Sequence, residues 1–128
     1  MFKILILEDD PQRVYWFYTE FMEDEVAVVN NASVAKVLLY AVSFDLICLD
    51  HDLGGQFFVD SDGENTGYQI AKYIPGTINN EATVIIHSYN PKGAEKMYDV
   101  LIGDCRFVGN VIRAPFRTWD RKSLSVPK

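Results

Sequence analysis

Acids, two histidines and a serine fall at the ends of three short apolar runs in this 128-residue chain. Ile4-Leu5-Ile6-Leu7 leads into Glu8-Asp9-Asp10, Leu46-Ile47-Cys48-Leu49 into Asp50-His51-Asp52, and Val84-Ile85-Ile86 into His87-Ser88. Parallel strands would gather these residues at one edge, where open α/β sheets place their binding crevice. Glu8, Asp9 and Asp50 would then lie within a few ångströms of one another. Each like-charge pair costs on the order of 4 kcal/mol at 4 Å and an effective dielectric of 20. A divalent cation offsets that repulsion, and Mg²⁺ (or Mn²⁺) suits a site of a few carboxylates, retained waters and a ligand phosphate. Asp9 with Asp50 is the expected metal-binding pair, and Asp52 extends it by side chain or carbonyl. A protonated acid or plain helix capping is the alternative, and capping is the expectation for Asp10.

The remaining groups could do proton and phosphoryl chemistry. A histidine beside a metal is a natural general acid or base, whereas one at a strand end is equally a structural group; both readings stand for His87. His51 points away from the acids if strand alternation persists past Asp50. Ser88 places a hydroxyl where it could bond a phosphoryl oxygen, and capping of the next helix by Ser88 or Asn90 is compatible with that.

The elements that must hold these residues follow from periodicity and punctuation. Lys3–Leu7 predicts a buried strand, and Asp10-Pro11 a capped helix start. Val14, Phe17, Tyr18 and Phe21 supply that helix's apolar stripe. Glu25–Val29 predicts a second strand, Val34, Val37, Leu38 and Ala41 a second helical stripe, and 45–49 a third strand. Residues 54–66, with the pair Phe57-Phe58, form a loop far longer than the usual 2 to 6 residues, as a lid or binding loop would be. Thr66 can cap a helix with Gly67, Ile70, Ala71 and Ile74 inside. A fourth strand is expected at 82–86, then Asn90-Pro91 starts a helix with Ala94, Met97, Tyr98 and Leu101 inside. A fifth strand is expected at 107–112, and 118–124 leaves room for only a short last helix. Alternation of this kind predicts one α/β domain over 1–128, a doubly wound (βα)5 with a parallel sheet in the order 2-1-3-4-5.

Composition bounds the partners. Residues 1–105 carry 6 basic and 17 acidic side chains, and residues 106–128 carry 6 basic and 1 acidic. Most of the surface would repel duplex DNA, whose nonspecific binding needs cations to neutralise phosphates. Arg113, Arg117 and Arg121 could serve a small phosphorylated ligand, with solvated surface charge as the plainer reading. No apolar run approaches the roughly 20 residues that cross a bilayer, and no signal-peptide cleavage region precedes Glu8, so a cytoplasmic chain with no membrane contact is expected. Cys48 and Cys105 lack metal-finger spacing and are expected to be reduced thiols.

With these residues in place, the chain resembles a receiver domain of two-component signalling, a CheY-like, flavodoxin-like three-layer sandwich. The segment from Ile4 to Pro11 is similar to that family's acidic-pair segment, which puts Asp9 at the principal metal-ligand position with Glu8 as its partner. The segment from Asp45 to Asp50 resembles the phosphoacceptor strand, with Asp50 as acceptor and Asp52 where a backbone carbonyl completes the metal shell. Ser88 matches the strand-4 hydroxyl. Receivers end strand 5 in Lys-Pro, whose lysine contacts the phosphoryl group; the matching pair here is Ala114-Pro115. That departure, the long loop, and the segments Asp50 to Gly55, Asn65 to Tyr68 and Ile86 to Pro91 look like the divergent cyclic-phosphate processing receivers. The resemblance implies a phosphorylated small molecule, nucleotide or RNA end as substrate. It implies Asp50, His51, His87 and Ser88 as candidate catalytic groups, and Asn65, Thr66, Tyr89, Asn90 and Arg113 as candidate substrate contacts. Three functions compete: a metal-dependent phosphoesterase opening a cyclic phosphate, a stand-alone phosphoacceptor on Asp50, and a pseudo-receiver that binds a protein or nucleotide without chemistry. A haloacid-dehalogenase-like phosphatase would also need a later lysine and a final acidic pair, whereas after Ser88 the chain offers Lys92 inside a helix start and only isolated acids.

Overall fold

The computed structural model describes residues 1–53, 63–116 and 118–124. Five parallel strands form one sheet in the order β2-β1-β3-β4-β5: β1 (Lys3–Leu7), β2 (Glu25–Val29), β3 (Leu46–Leu49), β4 (Thr83–Ile86) and β5 (Asn110–Arg113). Among the described residues, four helices alternate with them: α1 (Pro11–Glu20), α2 (Ala32–Ala41), α3 (Gly67–Tyr73) and α4 (Pro91–Ile102). The central strands are buried on both sides, as parallel strands covered by helices must be. Leu5, Leu7, Ile47, Leu49, Val84 and Ile86 pack toward α2, α3 and α4. On the other face Ile4, Ile6, Leu46, Cys48 and Ile85 pack with Phe17, Phe21 and Phe116. This is the flavodoxin-like doubly wound arrangement expected from the sequence, with a last helix reduced to a single 3-10 turn at Arg121–Ser123.

Three details differ from the sequence expectation. The inner face of α2 is Ala32, Ala35 and Leu39, while Val34 and Val37 are exposed. Ala32–Ala41 is apolar almost all round, so periodicity admits more than one inner face, and close approach to the sheet selects the small alanines. In α1, Tyr18 is exposed, and Trp16 packs instead against Phe17, Phe116 and Trp119. The fifth strand begins at Asn110, because Phe107 and Val108 are held in a turn by Asp104 O and Asn80 O.

The helix starts follow capping chemistry. Asp10, Asn31, Thr66 and Asn90 each accept a backbone N–H of the following helix, and proline takes the first position of α1 and α4. All four helices therefore begin at the carboxyl edge of the sheet, where the marked residues lie. Residues 54–62 of the expected lid loop, including Phe57-Phe58, and Arg117 lie outside the described residues. Among the described residues, no helix is long and apolar enough to cross a membrane.

Candidate functional site

Register places the site. Leu7 pairs with Leu49 and Leu49 with Ile86, so the residues that follow, Glu8, Asp50 and His87, form a row at the carboxyl edge. Backbone bonds continue the ladder one step further, from Asp50 N–H to Leu7 O at 3.1 Å and from His87 N–H to Leu49 O at 3.0 Å. All three side chains are buried, and one ligand atom from each lies within 4.8 Å of the others.

Glu8 is held on every side. Its Oε2 accepts the N–H groups of Asp9 at 3.0 Å and Asp10 at 3.1 Å, and its Oε1 lies 3.1 Å from His87 Nε2. Arg13, in the first turn of α1, brings Nη1 to 3.5 Å from Glu8 Oε1 and 3.7 Å from Asp50 Oδ2. Asp50 Oδ1 accepts the His51 N–H at 2.9 Å. The two carboxylates consequently differ. Burial works to raise Glu8, but the hydrogen bond and charge of His87, the Asp10 N–H and Arg13 together take it below its ordinary value. Burial raises Asp50 to about 7, with the charge of Glu8 adding to the rise and His87 and Arg13 opposing it. Of the repulsions expected from the sequence, the structure brings out that between Glu8 and Asp50, and Arg13 meets part of it.

A second polar group sits behind the first. His51 is buried with Nδ1 2.9 Å from Asp52 Oδ1, and Asn90 Nδ2 donates to the same oxygen at 3.0 Å. Asn90 Oδ1 also caps α4 through Gly93 N–H at 3.0 Å. Gly93 is required there, since a Cβ would stand 2.4 Å from the His51 ring. Gly67 is required likewise at the start of α3, where a Cβ would meet Asp50 O at 1.9 Å. His51, Asp52 and Asn90 thereby fix α4 to the end of β3.

The structure separates the sequence candidates into groups. Glu8, Asp50 and His87 come together; Asp9 and Asp52 stand outside that trio. Asp9 is half-buried and shares with Glu8 the rim of a groove of about 490 Å³ walled by Val14, Val28, Val29 and Val34. Ser88 Oγ is buried and accepts Asn90 N–H at 3.0 Å. Asn65 Oδ1 holds Ala32 N–H at 2.8 Å, and Thr66 caps α3. Tyr89 is half exposed and its hydroxyl donates to Phe116 O. Arg113 stacks over Tyr98 of α4, 6.0 Å from the ring centroid, whereas the next residue, Ala114, packs with the α1 face. Arg121 lies at the opposite, amino edge, bonded to Asp24. A phosphorylated ligand at the carboxyl edge therefore cannot draw on it.

Sequence reasoning missed Arg13. Its signal was present: the first turn of a helix that follows a strand end hangs over the carboxyl edge, and Arg13 is the cation within that turn.

A parallel 2-1-3-4-5 sheet with acids at the ends of β1 and β3 and a hydroxyl after β4 defines a receiver fold. Solved structures agree. The chain is similar to the phosphorylated cyanobacterial phytochrome response regulator RcpA (TM-score 0.58, 20% identity, covering 91% of this chain and 83% of that one). It is similar also to the response regulator TrrA from Thermotoga maritima in complex with Mg²⁺ and BeF (TM-score 0.58, 17% identity, 91% and 90% covered). A third is a Burkholderia pseudomallei response regulator with a phosphorylated aspartic acid, calcium ion and citrate (TM-score 0.55, 16% identity, 91% and 62% covered). At these identities the likeness is one of fold. Residues 4–103 match the family model of the cyclic-phosphate processing receiver domain, and the chain belongs to that family. No curated protein matches it.

Proposed function

We propose that this receiver domain opens a cyclic phosphate on a nucleotide or RNA end, using the corner formed by Glu8, Asp50, His87 and Ser88. The observation that carries the reading is the buried His87–Glu8 pair, 3.1 Å apart and grouped with Asp50. A carboxylate that holds an imidazole fixes its ring orientation and tautomer, which a proton-transferring histidine needs.

The donor set suits a hard divalent ion. Asp50 is a buried carboxyl whose charge the protein leaves incompletely compensated, and Glu8 and Asp9 follow one another at the end of the adjoining strand. Asp50 and Asp9 would hold Mg²⁺ or Mn²⁺, with Glu8 behind them and Asp52 nearby. When bound, such an ion polarises phosphate oxygens. Water adds to phosphorus while one of the two ring ester P–O bonds breaks. The Glu8–His87 pair takes the water proton and returns a proton to the departing ribose oxygen, so that a phosphomonoester results. Ser88 donates a hydrogen bond from its hydroxyl to a phosphoryl oxygen. The groove beyond Asp9 accommodates the organic part of the ester.

The test is incubation with Mg²⁺ and a 2′,3′-cyclic nucleotide. Turnover to a monoester is expected, falling about 10²- to 10⁴-fold in His87→Ala and disappearing in Asp50→Asn. Metal binding without turnover of any such substrate would overturn the reading. A second reading, phosphoryl transfer to Asp50, is favoured by its place at the end of β3 in a fold whose RcpA relative was solved phosphorylated. A phosphoryl mass increment after treatment with a small phosphodonor, lost in Asp50→Asn, would establish it in place of the first.

A further inference from the structure

We propose that Arg13 is the residue that grips the phosphate at this corner, held ready for it by two aromatic rings. The inference rests on the phosphate-handling reading above and adds a substrate contact to it.

The first support is incomplete engagement. Arg13 Nη1 approaches Glu8 at 3.5 Å and Asp50 at 3.7 Å, beyond the 2.7–3.2 Å range of N–H···O bonds. Arg121 shows what a satisfied guanidinium looks like in the same molecule: Nε and Nη2 reach the two oxygens of Asp24 at 2.8 and 3.0 Å. Arg13 is attracted to both acids but closes no such fork, and its planar set of donors matches the oxygens of a phosphate.

The second support is placement. The guanidinium lies 4.9 Å from the Tyr89 ring centroid and 5.5 Å from that of Phe116. These rails are joined, because the Tyr89 hydroxyl donates to Phe116 O and Phe116 N–H donates to His87 O. Rings at this distance favour a cation and restrict where it can swing. The side chain remains 19% exposed, so an anion arriving from solvent can reach it. Among the described residues, Arg13 is the only lysine or arginine paired with Glu8 or Asp50, and the end of β5 offers Ala114 in place of a cation. Phosphate binding would draw Arg13 from the carboxylates onto the ligand, with Tyr89 and Phe116 keeping it in register.

The experiment is calorimetric titration of the full chain, in Mg²⁺, with inorganic phosphate. Wild type should bind. Arg13→Ala should weaken binding at least about tenfold, and Arg13→Lys, which keeps the charge but not the planar fork, by a few-fold. Arg106→Ala, which removes an exposed cation paired with Asp104, should bind as wild type does. A purely structural role for Arg13 predicts lower melting temperatures with phosphate affinity unmoved, and that result would overturn the inference while leaving the proposed function standing. No phosphate binding by wild type would take down both. Should Arg13→Ala fail to fold, Arg13→Lys and Tyr89→Leu carry the test: weakened phosphate binding in both supports the grip, and unchanged binding in both overturns it.

Discussion

The two ends of the sheet each carry an arginine among acids, and they treat charge in opposite ways. At the amino edge, Asp24 takes a two-pronged bond from Arg121 and the N–H of Phe2, so its carboxyl falls below the ordinary value, chiefly through the Arg121 hydrogen bond. That corner ties the C-terminal turn to the start of β2, helped by Arg121 N–H donating to Glu20 Oε1. At the carboxyl edge, Glu8 is satisfied at the expense of Asp50, whose carboxyl is driven up to about 7 by burial first and by the charge of Glu8 second. A protein built for stability alone would complete both corners alike. The unfinished one is where a ligand can still contribute charge.

The largest effect that would sharpen this contrast is on turnover. Asp50→Asn should abolish opening of a cyclic phosphate, and His87→Ala should lower it about 10²- to 10⁴-fold; Asp24→Asn should leave kcat and KM unchanged. Equal losses at both corners would erase the distinction. Next comes packing behind the site: Gly67→Ala forces a methyl group onto Asp50 O and should destabilise by about 1–3 kcal/mol in urea melts.

The pH dependence of stability should differ in sign between the corners in metal-free protein. An unfolded aspartate titrates near 3.9. The folded value of Asp50 lies above that, so the folded state holds its proton more tightly, and this contribution is present at low pH and lost as pH rises from about 4 to about 7. Asp24 has a folded value below its unfolded one, so its contribution is present above about 4 and lost as pH falls through the lower folded value. Asp50→Asn should accordingly raise stability at pH 8 by on the order of a few kcal/mol and flatten the slope between 4 and 7. The smallest effect is that of Asp24→Asn, a drop in Tm of a few degrees near neutrality that shrinks in acid. A stabilising Asp24→Asn or a destabilising Asp50→Asn at pH 8 would reverse the comparison.

Sheet order, helix starts and the meeting of Glu8, Asp50 and His87 were legible because they depend on short-range signals: apolar runs, Asp-Pro and Asn-Pro caps, and strand ends. Three things were missed. The inner face of α2 was ambiguous because a nearly all-apolar helix carries no preferred stripe. Arg13 was overlooked because its partners lie on β1 and β3, and only the angle of α1 over the sheet edge brings it to them. The role of Asn65 in holding the start of α2 depends on its bond to Ala32, 33 residues apart in sequence, which local pattern does not encode.

The most direct measurement is a crystal structure of the chain grown with Mg²⁺ and a phosphate mimic such as beryllofluoride or vanadate. An ion on Asp50 and Asp9, with the anion between Arg13 and Ser88 and next to His87, is the predicted result. An ion or anion bound away from Asp50, with Glu8, His87 and Arg13 unmoved, would contradict it.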